Sequence, residues 1–535
     1  MEQLTWTGSF GAFLNPLLLA ALVIFLLGFV ANTILALAGL RAGDMEVNAD
    51  GTLVFKRTPV DYALMTMKYA VLLFLACCVV FVLGGIFQPD IQAKGILGAM
   101  AARLVPVWIA LIVIFAVSVT FKRKLGLYGK LFDSPIGMAG FGLVMFWIFA
   151  AVFSGLIATH GALDVISGLR NDLPGTPLPN PAEGQYPYYL LGGDNLGRDV
   201  FSRVVFGAAD VLQIAPVATL FAFMVGITLG LPAGYFSGSA FEMRSPGFYI
   251  TCALAGLAAV IGAISGGLSV GLWTLVAAAV AIGLFLTVKL DTILTFIANL
   301  ALAFPVILLF FLLVTPEIVA AGVPQYMSMV LFLFPIIFLV VLFNSRFHTQ
   351  PMTRNILVAA AAIVGFTAYF SLISNRSDAD APIRFWPEAL DFFDIPGNLL
   401  IVFVAVVFVN SPTVFRIVRG IVLDVKTRDY VAAAQTRGEG PWYIMLWEIL
   451  PNARGPLIVD FCLRIGYTTI LLGTLGFFGL GVSPESPDWG STINEGRRLL
   501  TVYPHPALPP ALALMSLVLG LNLLADGLRE ESLRD

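Results

Sequence analysis

Asp460 and Arg464 stand four residues apart inside an otherwise apolar run, a spacing that puts both on one face of a helix. An unpaired charge at mid-bilayer costs roughly 2.5–3.5 kcal/mol. The two are therefore expected to pair, to snorkel to the inner face, or to line an inner cavity. A second polar set, Asp429 to Asn452, lies between apolar runs long enough to cross a bilayer. It meets no membrane there and is expected to serve a partner in the aqueous phase. Other chemistry is sparse. His160, His348 and His505 lie far apart in loops, and Cys77, Cys78, Cys252 and Cys462 all fall in apolar runs, where free thiols pack like small hydrophobes. The glycines and lysine of Gly126–Lys130 lack phosphate-loop spacing and are followed by Leu131. No nucleophile with a supporting base stands out. The reading is of a non-catalytic chain with no metal site and no cofactor of its own.

The elements that must position these residues are set by composition. Of 535 residues, 59% are hydrophobic and only 12% charged, too little charge to cover a soluble surface of that size. The class is an all-α polytopic membrane protein with the lipid bilayer as its solvent and no nucleic acid partner. The 51 glycines suit packed transmembrane helices, where small residues let backbones approach. Net charge of -3 carries little information beside the placement of Lys and Arg. The opening segment lacks a basic start, so Phe13 to Leu40 reads as a retained span.

About thirteen runs reach the roughly 20 residues needed to cross the hydrocarbon. They centre on 13–40, 69–87, 104–121, 136–159, 206–235, 248–268, 270–288, 292–314, 327–343, 356–373, 398–415, 456–480 and 507–526. The runs are continuously apolar rather than alternating, which excludes a barrel and leaves helices. Alternating loops that include the 429–452 loop and the C-terminus hold about two thirds of the 30 Lys and Arg, so both are expected inside. Two exterior segments are longer, 160–204 and 374–397. Asp50-Gly51, between short apolar pieces, is a possible hairpin turn.

In the 429–452 loop, Gly438 separates two helix-compatible stretches, Tyr430–Arg437 and Trp442–Leu450, and permits a sharp change of direction. A short helix across the inner membrane face would present Arg437, Glu439 and Trp442. The stretch resembles the EAA loop of ABC importer permeases: Ala433, Ala434, Gly438, Leu450 and Pro451 match the family spacing. Ala432 stands where glutamate is usual, and Glu448 where an apolar residue is usual. The plain alternative is an ordinary amphipathic loop.

Four more segments resemble the dipeptide, oligopeptide and nickel permeases, in particular the second, C-type permease of the pair. They are Leu191–Arg203, which contains Asp194, Gly197, Arg198 and Asp199; Leu302–Pro305; Phe478–Val482 with Pro487–Gly490 after it; and Asn522–Arg529. In physical terms the first is an elbow in which Arg198, Asp199 and Arg203 can satisfy each other. Trp489 reads either as an interfacial anchor or as part of an outer rim of the path.

The resemblance covers about 136–237, 289–314 and 398–530. It implies a six-helix type I importer core divided as 135–237, 289–314 and 398–535, with about seven additional transmembrane helices. Three of these lie in an extension at 1–134, two in an insertion at 238–288, and two in an insertion at 315–397. It further implies an inner-membrane permease of a peptide-type importer that binds no ATP itself. Its partners would be a second homologous permease, two cytoplasmic ATPase subunits carrying ATP and Mg, and an extracytoplasmic solute-binding protein. The alternative of another class is an ion-gradient-driven secondary transporter, for which Asp460 is the one good intramembrane carboxylate. A membrane-embedded enzyme lacks a catalytic constellation.

Overall fold

Apolar runs in lipid must satisfy their own backbone groups, and the chain does so with helices. The computed structural model describes residues 2–43, 45–47, 53–55, 57–237, 290–373, 397–480 and 486–532. Outside them lie the expected spans 248–268 and 270–288, nearly all of the 374–397 loop, the Asp50-Gly51 turn, Cys252, and Gly481-Val482 of one motif. Among the described residues ten helices are long and apolar enough to cross a membrane, and a bent pair adds an eleventh. The bent pair corrects one expectation. The run 292–314 is not a single straight span: Asp291–Ala303 and Val306–Val314 meet at 79° around Pro305. Proline lacks the N–H of a continuing helix and its ring collides with the preceding turn.

The described residues divide into two compact units. The first comprises Met1–Ser118, Met145–Asp210 and Glu485–Met515. Its helices Gly8–Leu37 and Pro59–Phe87 pack along each other, and Ile91–Arg103, too short to span, packs against both. Met45–Val47 and Leu53–Phe55 pair antiparallel on either side of the expected turn. The loop after Ser154–Ile157 is tied to the beginning of the chain, with Leu4 N–H donating to Gly175 O at 3.0 Å. Arg103 holds the end of that short helix, donating from Nε to Ile157 O at 2.9 Å and from Nη2 to Leu156 O at 3.1 Å.

The second unit comprises Val119–Val144, Val211–Pro484 and Ser516–Asp535. Its backbone is the pairing of the helices Val200–Tyr235 and Gly397–Val425. Gly226, Gly230 and Gly234 repeat every four residues on the first, against Val414, Val418 and Val422 on the second. A Cβ at these glycines would fall 2.5, 2.9 and 2.7 Å from valine side-chain atoms, so only glycine permits the approach. The same valines enter a buried cluster with Val431, Ala434, Ile444, Met445, Leu446 and Ile449. The polar loop is thereby moored to the membrane helices through its apolar side.

Candidate functional site

The 429–452 loop is two helical arms about a glycine. The first arm, Asp429–Thr436, buries Val431 and Ala434 completely and leaves Ala432 and Ala433 exposed, with Tyr430 half-buried. Asp429 in the first turn complements the helix dipole. At the other end Gly438 N–H donates to Gln435 O at 2.9 Å and Glu439 N–H to Ala434 O at 3.2 Å. That pair of bonds is a Schellman cap, which needs a left-handed residue just beyond the helix. Gly438 supplies it with φ of +81°. No atom lies within 4 Å of where its Cβ would be, so the need for glycine is conformational rather than spatial.

The second arm begins at Pro441 and runs as a π turn through Ile444–Ile449 into Leu450–Asn452. Pro451 has no N–H for the carbonyl one turn back, and the widened turn lies directly before it. Arg437 Nη2 donates to Glu448 Oε1 at 2.6 Å and closes the two arms on each other. The acid at an ordinarily apolar position therefore has a local partner. Glu439 Oε2 lies 3.6 Å from His348 Nε2. Of the three side chains expected to face a partner, Arg437 and Glu439 are thus also held from within, while Trp442 stands exposed. Leu450 packs on the buried cluster, and Pro451 is exposed.

Inside the membrane, Asp460 and Arg464 do pair, with Arg464 Nε donating to Asp460 Oδ2 at 2.6 Å. Arg464 does not snorkel, since it is buried at 7% exposure. Its Nη1 donates to Asn410 Oδ1 at 3.3 Å, and Asn410 Nδ2 donates to Thr468 Oγ1 at 3.3 Å. Thr468 Oγ1 in turn lies 3.3 Å from Thr219 Oγ1. Three helices share this polar chain, which offsets the cost of the charge by pairing it and bonding its remaining protons.

The elbow at Asp194–Arg203 is more heavily charged than the sequence suggests. Asp194 Oδ1 accepts from the N–H groups of Leu196 and Arg198, both at 2.9 Å, and Oδ2 accepts from Arg198 Nε at 2.6 Å. Gly197 makes the turn with φ of +87°. Arg198 also donates to Glu495, and Arg203 Nη2 lies 3.9 Å from Glu495 Oε2 while donating to Ser486 O at 2.8 Å. Two acids and two guanidinium groups form a charge-balanced quartet in which Asp194, Arg198 and Arg203 are buried and Glu495 is partly exposed. Burial pushes the Glu495 carboxyl above its ordinary range despite the arginines.

Asp199 is not part of that exchange, contrary to the expected mutual pairing. Its Oδ2 accepts from Ser202 Oγ at 2.6 Å, Ser202 N at 3.2 Å and Thr159 Oγ1 at 2.5 Å, capping the helix Val200–Tyr235. His160 Nδ1 lies 3.3 Å from the same oxygen. Trp489 is wholly buried, and so neither an exposed interfacial anchor nor a solvent-facing rim. Its Nε1 donates to Val204 O at 2.8 Å, and its ring meets Trp147 edge-on at 5.1 Å. A Cβ at Gly207 would fall 2.5 Å from Trp489 Cδ1.

Glu495, Asn410, Thr468 and His160 join these sites without having been expected there. Asn410 and Thr468 were open to detection, as polar residues in otherwise apolar spans. Glu495 gave no signal, because its partner is 297 residues away.

Residues 274–530 match the family described as binding-protein-dependent transport system inner membrane component. The glutathione transport system permease protein GsiD of Pectobacterium atrosepticum is 26% identical over 348 residues, which are 65% of this chain and 73% of that protein. The proteins of that name from Escherichia coli O1:K1 / APEC and Shigella flexneri serotype 5b are 40% identical over 129 residues. Those 129 residues are 24% of this chain and 43% of either relative, so this chain spans less than half the length of those two. The family match takes in the whole 429–452 loop, the Asp460–Arg464 pair and Trp489. The match to residues 274–530, just under half of the chain, together with the GsiD relatives, supports an inner-membrane permease of an ABC importer of the peptide type.

Proposed function

We propose that the 429–452 loop is the seat of a cytoplasmic ATP-hydrolysing subunit and that its geometry transmits nucleotide-driven motion to the membrane helices. The observation that carries this is the combination of a fixed bend and a one-sided burial. The Schellman cap at Gly438 and the Arg437–Glu448 pair hold the arms as one piece. The apolar side is keyed into the helix cluster, and Ala432, Ala433 and Trp442 face outward. A docked subunit that moves this piece moves the helices Gly397–Val425 and Arg454–Phe477, which flank it directly. Closure of the ATPases on ATP then biases a two-state membrane element toward opening, and hydrolysis resets it.

In this reading the loop and the C-terminus are cytoplasmic. The chain forms half of a path completed by a second, related permease of which it is the C-type member, and two ATPase subunits bind one loop each. An extracytoplasmic binding protein delivers the cargo, for which small peptides of the glutathione kind are the first candidates, given what the relatives are named for. Division of the chain into core segments 135–237, 289–314 and 398–535 belongs to the same proposal. Among the described residues, the carboxylate that the gradient-driven alternative would use is bound to Arg464.

The test is Gly438→Val, with ATPase co-purification and uptake of labelled glutathione and dipeptides measured together. The cap should fail, and with it uptake and ATPase association. Wild-type uptake from an intact assembly would overturn the coupling role. Cysteines placed between 430 and 450 should react only from the cytoplasmic side, and reaction from outside would overturn the orientation.

A further inference from the structure

The segment 315–397 lies outside the six-span core that the motifs delineate, yet it reaches the loop. Its helix Leu333–Arg346 runs against the loop's second arm, with Phe338, Val341 and Leu342 packed on the buried cluster. At its end four contacts converge. Trp447 Nε1 donates to Ser345 Oγ at 3.1 Å, and that hydroxyl donates onward to Leu342 O at 2.9 Å. The Arg346 guanidinium lies over the Trp447 ring, 4.8 Å from its centroid. His348, anchored by Nδ1 to Ser345 O at 3.0 Å, meets the Tyr443 ring edge-on at 5.4 Å. The opposite edge of its ring carries the Glu439 contact described above.

From these contacts we infer that Ser345, Arg346 and His348 are positioning residues that brace the ATPase-coupling loop and set its stiffness during turnover. The inference rests on the coupling role proposed above. Three features single out this brace. It holds the stretch that leaves the Gly438 bend at three successive places, Glu439, Tyr443 and Trp447. Its contacts are polar and directional, so they fix orientation as well as proximity. And it comes from the end of a helix that already packs Phe338, Val341 and Leu342 on the same cluster, so the polar contacts add to an apolar one. The added helices therefore lend the moving part an external support that the core lacks without them.

The experiment uses the full complex in nanodiscs, with backbone hydrogen exchange of residues 438–447 and ATP turnover measured on the same preparations. Arg346→Ala should raise exchange in that segment roughly two- to fivefold, the range expected from losing one cation–π contact. ATP turnover should change alongside, with ATPase co-purification retained. Arg346→Lys, which keeps a cation over the ring, should restore both, as a merely structural loss would not. Arg346→Ala combined with His348→Ala should exceed either alone. Unchanged exchange in the double variant overturns the brace. Raised exchange with unchanged turnover overturns its bearing on coupling. Failure of ATPase subunits to co-purify with the unaltered chain would instead sink the coupling reading, and exchange would still decide whether the brace exists.

Discussion

Arg437 and Glu448 sit on opposite sides of the Gly438 bend and join at 2.6 Å, so the loop closes on itself before any partner arrives. Both side chains are partly solvated, which limits the pair to about 0.2–1 kcal/mol. Glu448→Ala should therefore leave folding intact and lower ATPase affinity only modestly. The swap Arg437→Glu with Glu448→Arg should restore what each single reversal loses. Titration of purified ATPase onto the membrane complex reads this directly, and failure of the double swap to recover would assign Arg437 to the partner rather than to Glu448.

Arg464 is a buried charge in an otherwise apolar helix. Arg464→Ala leaves the largely enclosed Asp460 without its counter-ion, a loss whose ceiling is about 3–5 kcal/mol, the cost of a broken buried pair. Expression and detergent-resistant folding should fall sharply. Adding Asp460→Asn to that variant should recover much of the loss, because the uncompensated charge goes with it. Fluorescence-detected size exclusion of the three variants checks the order.

Trp489→Ala should be destabilising by about 3–5 kcal/mol, the usual range for emptying a large buried aromatic site. Trp489→Phe keeps most of the volume and loses the bond to Val204 O, worth about 0.5–1.5 kcal/mol. Thermal unfolding should rank wild type, then phenylalanine, then alanine. Equal melting of all three would be incompatible with a ring packed on Trp147 and Gly207.

His505 gives a pH dependence. Burial holds its imidazole below the ordinary value of 6.5, and its Nε2 donates to Gly193 O at 3.1 Å. The unfolded chain takes up a proton near pH 6.5 that the folded one refuses, so stability is full above that value. It falls as the medium is acidified from 6.5 toward the depressed folded value. Melting temperatures at pH 7.5 and 5.5 should differ less in His505→Gln than in the unaltered chain. An identical difference in both would remove His505 as the cause.

Much of this architecture was readable from apolar run length alone, because lipid leaves helices as the only continuous solution for such runs. Pro305 shows where that rule ends: hydropathy averages over the proline, and the backbone does not. The loop was legible because Gly438 and Pro451 have local consequences at fixed spacing. The Asp460–Arg464 pair was legible for the same reason, being one helical turn. Glu495 was not, since nothing near it in sequence reveals its arginine partner. Trp489 misled because an aromatic ring beside proline and glycine looks the same whether it faces lipid headgroups or fills the space left open at Gly207. Nor could the residues of 315–397 disclose a bearing on the loop, which depends on where the helix end at Ser345 and Arg346 comes to rest.

The glycine ladder of Gly226, Gly230 and Gly234 has a mechanical corollary. Three successive valines lodged against bare backbone leave the two helices no clearance to slip lengthwise or swing apart by degrees. A displacement of one helix is therefore shared by the other or breaks these contacts. A single methyl added at the middle rung would pry that pair open far from any cargo or nucleotide.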